Sequence, residues 1–258
     1  MQKTIGIVIT IFLAVFTFFK TVMAQPLGEH LSYNVYYKWG IIKINGGSLT
    51  LTASSDTIDG TALIRVDGAG KSAEKWSWLF ELDDHYTSWY YPKTFLPVKS
   101  IKNTNEGGYF IHNLYKFNYK DSLIYIRTEQ SRKPLSYDTL RMKGNIFDAQ
   151  AATYHLRFID FDNYHPNDTL TFSIIMDGVV HEQDIVYLGH DTITDRQKNS
   201  YATFCFAAVV DDSKLFSSSD AIKVWISDDE RRIPLLIQAD ITVGYIEVLY
   251  NNDSVNNK

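Results

Sequence analysis

Short runs in which apolar and polar residues alternate dominate this chain, and that period of two is its strongest constraint. From His30 to Trp39 the odd positions Leu31, Tyr33, Val35, Tyr37 and Trp39 share one face, with Ser32, Asn34 and Lys38 opposite. Tyr109 to Lys120 repeats the device, with Tyr109, Ile111, Tyr115, Phe117 and Tyr119 on one side and His112, Lys116, Asn118 and Lys120 on the other. Such a pattern fits a strand with one face in a core. Its Tyr, Phe, Ile, Val and Thr content suits a pleated surface.

Further strands are expected at 41–53, 61–68, 85–91, 95–103, 122–129, 169–176, 179–188, 201–210, 221–227, 232–241 and 243–250. That spacing implies antiparallel meandering and not βαβ units. Asp177-Gly178 between two runs matches a two-residue hairpin turn, and Asn45-Gly46-Gly47 and Asp59-Gly60 read similarly. Asp148 to Asp160 breaks the alternation: Ala149, Ala152, Leu156 and Ile159 recur at helical steps behind an Asp, which predicts a helix over 148–160. A shorter helical piece is expected at 72–80, with Ser72 as cap. The expected fold is mainly β, a large curved antiparallel sheet or two antiparallel lobes joined near 145, in a single domain over 25–250. The polar tail 251–258 is expected to be disordered.

The N-terminus reads as a leader. Lys3 precedes an apolar stretch from Ile5 to Phe19, and Val22-Met23-Ala24 suits a signal-peptidase site, so cleavage after Ala24 is expected. The apolar run falls short of the roughly 20 residues that span a bilayer, and Lys20 closes it. No Cys follows for lipidation. Export to the periplasm of a Gram-negative-type bacterium, as a soluble protein without a transmembrane anchor, is the expected location. Loss of Lys3 and Lys20 takes the basic count from 25 to 23 against 30 acidic residues, and net charge from −5 to −7. That balance argues against nucleic acid as a partner, and against anionic lipid surfaces.

Chemical motifs are sparse. The lone Cys205 lies in the apolar run Phe204-Cys205-Phe206-Ala207-Ala208, which predicts a buried, inert thiol. Seven His, at 30, 85, 112, 155, 165, 181 and 190, form no i,i+4 pair, so no metal or other cofactor is expected. There is no Gly-x-Ser-x-Gly elbow and no Gly-rich phosphate loop, and no catalytic residue is assigned. Ser227-Asp228-Asp229-Glu230-Arg231-Arg232 reads as a hairpin tip, or, if its carboxylates share an ion or a proton, as a Ca²⁺ or acid/base site; extended strands would instead let Asp228 pair with Arg232.

Several segments in order resemble one family. Gly28-Glu29-His30-Leu31-Ser32-Tyr33 with Trp39-Gly40, Phe95-Leu96-Pro97 with Glu106-Gly107-Gly108-Tyr109, Tyr154-His155-Leu156-Arg157 after Asp148, and Val224 to Pro234 around the acidic cluster resemble the bacterial family of domain of unknown function 3108. The likeness runs roughly from Gly28 to Tyr250. It implies a periplasmic β protein without an assigned activity. Ala151 and Ala152 stand where such proteins often carry a Ser, so no hydroxyl role transfers to the helix.

The aromatic load, 14% of residues, remains to be placed. It would cover the faces of a large sheet, or line a concave apolar groove beneath the helix that takes a lipid, an acyl chain or a glycan. Tyr33, Tyr37, Trp76, Trp78 and Trp89 are the candidate ligand-binding residues. A binding or carrier module is the leading functional reading. An envelope scaffold that engages another envelope protein, and an enzyme acting on glycan, are the alternatives.

Overall fold

The structure, a computed structural model, describes residues 26–76, 81–195, 198–209 and 222–252. The leader, residues 77–80 of the shorter helical piece and the tail from 253 lie outside them.

Among the described residues, fifteen strands and one α-helix follow in chain order. The first eight are β1 (His30–Trp39), β2 (Ile42–Ile58), β3 (Thr61–Ser72), β4 (Asp83–Tyr90), β5 (Pro97–Glu106), β6 (Tyr109–Asn118), β7 (Leu123–Gln130) and β8 (Ser136–Arg141). Then come β9 (Ile146–Phe147) and helix α1 (Ala149–Arg157), followed by β10 (Thr169–Met176), β11 (Val179–Thr194), β12 (Ser200–Ala208), β13 (Ile222–Ser227), β14 (Pro234–Asp240) and β15 (Tyr245–Tyr250). Glu74–Trp76 forms a 3-10 turn in the segment expected to be helical.

All fifteen strands join one sheet, in the order β8-β7-β6-β5-β4-β3-β2-β1-β15-β14-β13-β12-β11-β10-β9. Every pairing is antiparallel except β9 with β10. The early strands meander one way from β1 and the late strands the other, and β15 returns to lie beside β1 through a ladder from Tyr33↔Tyr250 to Lys38↔Tyr245.

The sheet is open but strongly curved. The chain leaves one edge at Arg141 and joins the opposite edge at Ile146. A link that short spans at most roughly 3.3–3.6 Å per residue, so the two edges lie close. Among the described residues no ladder closes the gap; side chains do. Tyr115, Phe117, Ile124 and Ile126 of β6 and β7 pack with Ile146 of β9 and Ile175 of β10. Lys102 on β5 contacts Asp177 at 2.8 Å, and the Gly178 N–H donates to the Tyr115 hydroxyl at 3.2 Å, so the β10–β11 turn docks across the seam.

Helix α1 fills the concavity. Its Ala151, Ala152 and Tyr154 join Ala53, Ile64, Val66 and Tyr90 from β2 to β4, and Phe147 and Phe172 from β9 and β10, in one cluster. The small alanines let the helix approach the sheet closely. Asp148 caps it, accepting from the N–H groups of Gln150 and Ala151 at 2.9 and 3.1 Å and from the Ser88 hydroxyl at 2.6 Å. Burial nonetheless holds the Asp148 carboxyl above the usual range, against these bonds, which favour ionisation.

Turn chemistry follows residue type. Asp177 and Gly178 have φ of 47° and 81°, and Asp59 and Gly60 of 49° and 77°, so both turns have the doubly positive form that twisted hairpins need. Asn45-Gly46-Gly47, expected as a turn, lies inside β2, where the register against β1 shifts at Val35/Tyr36. A Cβ on Gly47 would stand 2.3 Å from the Lys71 carbonyl oxygen, so this glycine answers to close strand approach and not to a turn.

Candidate functional site

The concave face leaves its aromatic side chains inside the core. Tyr33 is 2% exposed and packs edge-on against Tyr250, with ring centroids 5.7 Å apart. Trp89 lies on the opposite face of the sheet, where it is buried by covering side chains: it donates its indole N–H to Asp56 at 2.7 Å and lies under Lys99 and Arg65, at 4.5 and 5.3 Å from the ring centroid. Tyr37 is half-buried and donates its hydroxyl to the Val243 carbonyl at 2.9 Å. Trp78 and the side chain of Trp76 lie outside the described residues. Tyr33 and Tyr37 share a face of β1, while Trp89 stands three strands away on β4.

The segments that carry the family resemblance meet inside the sheet. Arg157, at the end of α1, donates from Nη1 and Nη2 to the Glu29 carboxylate, both at 2.7 Å. Its Nε donates to the Arg232 carbonyl at 2.7 Å and Nη2 to the Arg231 carbonyl at 2.9 Å. The Tyr154 hydroxyl donates to Glu29 at 3.1 Å. Burial disfavours the Arg157 charge, but the bonds to Glu29 outweigh it and raise its pKa. One guanidinium thereby ties the helix to the approach to β1 and to the β13–β14 turn.

That turn is the charged segment 227–232. Asp229 Oδ1 accepts from the Ser227 hydroxyl at 2.8 Å and from the N–H groups of Arg231 and Arg232, both at 3.0 Å. Asp228 pairs with Arg232 and His190, each at 3.4 Å. Asp228, Asp229 and Glu230 are exposed, and the carboxylates serve to shape the turn. Among the described residues no three His, Cys, Asp or Glu side chains gather as a metal would require. Cys205 is buried, and burial pushes its thiol up to about 11.

A cavity of about 540 Å³ opens where three hairpins meet. Asn34, Tyr36 and Lys38 alternate along β1, on the face opposite Leu31 and Tyr33, and line it together with Glu247 and Leu249 of β15. The tip of the β11–β12 hairpin, Ile193 to Asp195 with Tyr201, forms a second wall. Asp229 and Arg231 of the β13–β14 turn, with Leu235 and Leu236 of β14, form a third.

The lining is mixed: Ile193, Leu235, Leu236 and Leu249 contribute apolar surface, whereas Lys38, Lys43 and Glu247 form a charged group. Lys43 stands 3.1 Å from Glu247, and Lys38 bonds its other oxygen. Burial raises the Glu247 pKa, but the hydrogen bonds and charges of the two lysines outweigh it and leave it lowered. Ile233, Leu235 and Tyr250 belong both to this cavity and to the core cluster around Leu31 and Tyr33. The Tyr250 hydroxyl is shielded from solvent and has no hydrogen-bond partner. Arg157 fixes the cavity from behind, because the carbonyls it binds belong to the turn that supplies Arg231.

Tyr33, Tyr37 and Trp89, the candidates whose side chains are described, do not line the cavity. Tyr36 and Tyr201 do, and period-two reading does not single them out. Tyr36 sits on the polar face of β1, beneath Lys43 at 4.2 Å.

Comparison with known proteins places the fold. A crystal structure titled as a beta-barrel-like protein of domain of unknown function DUF1849, from Brucella abortus, is similar with a TM-score of 0.55 over 88% of this chain and 98% of that one, at 9% sequence identity. At that identity the likeness shows the fold alone. No curated protein sequence matches. The model of the family described as protein of unknown function (DUF3108) matches residues 32–249, and with the motifs of Tyr154-His155-Leu156-Arg157 and the β13–β14 turn inside that span, the chain belongs to this family.

Proposed function

We propose that this protein is an exported binding or carrier module of the bacterial envelope, without chemistry of its own, that holds an amphiphile such as a lipid or acyl chain in the cavity between β1, β15 and the β11–β12 tip. The observation that carries the reading is the mixed apolar and charged lining of the cavity. An acyl or ring body fits against Ile193, Leu235, Leu236 and Leu249, while a polar head reaches Lys38, Lys43 and Arg231. A volume of about 540 Å³ lies within the range of small-molecule sites, roughly 300–1,000 Å³. A glycan is the weaker candidate, since no described Trp lines the walls for stacking.

Export through the leader at 1–24 belongs to the same proposal, and N-terminal sequencing of the periplasmic form tests it. No described helix is long and apolar enough to cross a membrane. Titration with a fluorescent fatty acid tests the binding site. Saturable binding at one probe per chain, abolished by Asn34→Trp, is expected; no saturable binding would overturn the reading.

A second reading, a protein-interaction module, draws on β8. Among the described residues this edge strand is bonded on one side only, and Tyr137 on it is 73% exposed. Pull-down from envelope extract that fails when Tyr137 is changed to Lys would favour it.

A further inference from the structure

Two neighbouring hairpin tips carry apolar side chains into solvent. The β1–β2 turn runs Trp39-Gly40-Ile41-Ile42, with Ile41 fully exposed and Trp39 56% exposed. Beside it the β14–β15 turn presents Val243, 52% exposed. The tips are locked together by the Tyr37 hydroxyl, which donates to the Val243 carbonyl at 2.9 Å, and by the ladder that ends at Lys38↔Tyr245. A Cβ on Gly244 would lie 2.1 Å from the Lys38 carbonyl oxygen, so the turns abut closely.

Hairpin tips are ordinarily built from polar residues because they meet water. From Tyr37 to Lys43 this one has no acid, and lysines flank its apolar centre on both sides. We propose that the paired tips dock on a phospholipid bilayer: Ile41, Ile42 and Val243 enter the acyl boundary and Trp39 sits at headgroup depth, while Lys38 and Lys43 remain paired with Glu247. Trp favours that depth. A protein partner fits less well, since a stable interface needs about 800 Å² per side and these tips are a convex ridge of four apolar side chains. The full chain carries net charge −5, and −7 without the leader, so apolar insertion, not bulk electrostatics, drives the binding, and a zwitterionic bilayer suffices. Lys38 and Lys43 also line the cavity, which brings its charged group next to the bilayer, but the docking stands without any cavity ligand.

The test uses the exported protein and phosphatidylcholine vesicles, with wild type and variants purified in the same N-terminal form. Wild type is expected to sediment with the vesicles at low and high salt alike. Ile41→Asp combined with Val243→Asp should cut the bound fraction by about tenfold or more, because acids insert poorly. Both positions are solvent-exposed, so an unchanged Tm is the control for folding. Lipids brominated in the acyl chain should quench wild-type fluorescence, and Trp39→Phe should remove that quenching. Absence of co-sedimentation, or equal binding by the Asp variant, would overturn the proposal. So would sedimentation velocity showing that the tips pair two copies without binding lipid.

Discussion

Arg157, with no solvent exposure at its side chain, forms a two-pronged ion pair with Glu29, both bonds 2.7 Å long, across 128 residues of sequence. A buried pair of this kind adds little net stability over an apolar replacement, but removing one partner strands the other charge. Arg157→Met is therefore expected to cost about 3–5 kcal/mol in urea unfolding. Glu29→Gln should be costly too, and the double variant should lose clearly less than the two single losses combined. Additive losses would show that the pair is not a unit. Hydrogen exchange at residues 228–233 should also accelerate in Arg157→Met, since two carbonyls of that turn lose their donor.

Tyr90 lies against Tyr154, with ring centroids 6.1 Å apart, and its buried hydroxyl has no hydrogen-bond partner. An unsatisfied buried hydroxyl costs about 1–3 kcal/mol, so its removal should be neutral or favourable. Tyr90→Phe is expected to hold or raise Tm, and a fall of several degrees would contradict the assignment.

His155 is enclosed by Phe95, Phe147 and Phe172, at centroid distances of 5.5, 5.1 and 5.7 Å, and its Nδ1 is buried without a partner. Burial lowers its pKa below the usual 6.5. The unfolded chain then binds a proton that the folded one resists. Stability from this group is complete above pH 6.5 and is lost as pH falls from there through the folded value. Thermal melts between roughly pH 8 and pH 5 should show Tm falling on the acid side. The slope should be shallower in His155→Leu; an unchanged slope would point to other groups.

Local pattern exposed much of the fold. The alternation in β1 and β6, the Asp177-Gly178 turn and the capped helix are written in neighbouring residues, and the structure has all of them. The helix is shorter than expected, ending at Arg157, because Phe158 onward turns away to bury Phe161 against Tyr187 and Phe206. Strand β8 (Ser136–Arg141) has little apolar signal because it is an exposed edge, and β9 has only two residues. The site was less legible. Motifs containing Glu29, Arg157 and Arg231-Arg232 stand out in sequence, but Arg157 meets the turn through its backbone carbonyls, which leave no mark on side-chain pattern. Tyr33 reads as a groove residue because alternation gives a face without saying that a helix fills the concavity, and Trp89 lies on the opposite face of the sheet, beside Arg65 and Lys99. The cavity arises instead from a hairpin tip set beside β14 and β15, a tertiary placement that no periodicity encodes.

The cavity between β1, β15 and the β11–β12 tip is the centre of the functional account, and mass spectrometry of what it holds is the direct measurement. Protein purified from its native envelope under non-denaturing conditions should carry a small amphiphile at one molecule per chain. Asn34→Trp and Thr194→Trp, which place bulk in the cavity from opposite walls, should each lose it at unchanged Tm. No bound amphiphile in the wild type, or the same amount retained by both folded variants, would contradict the assignment.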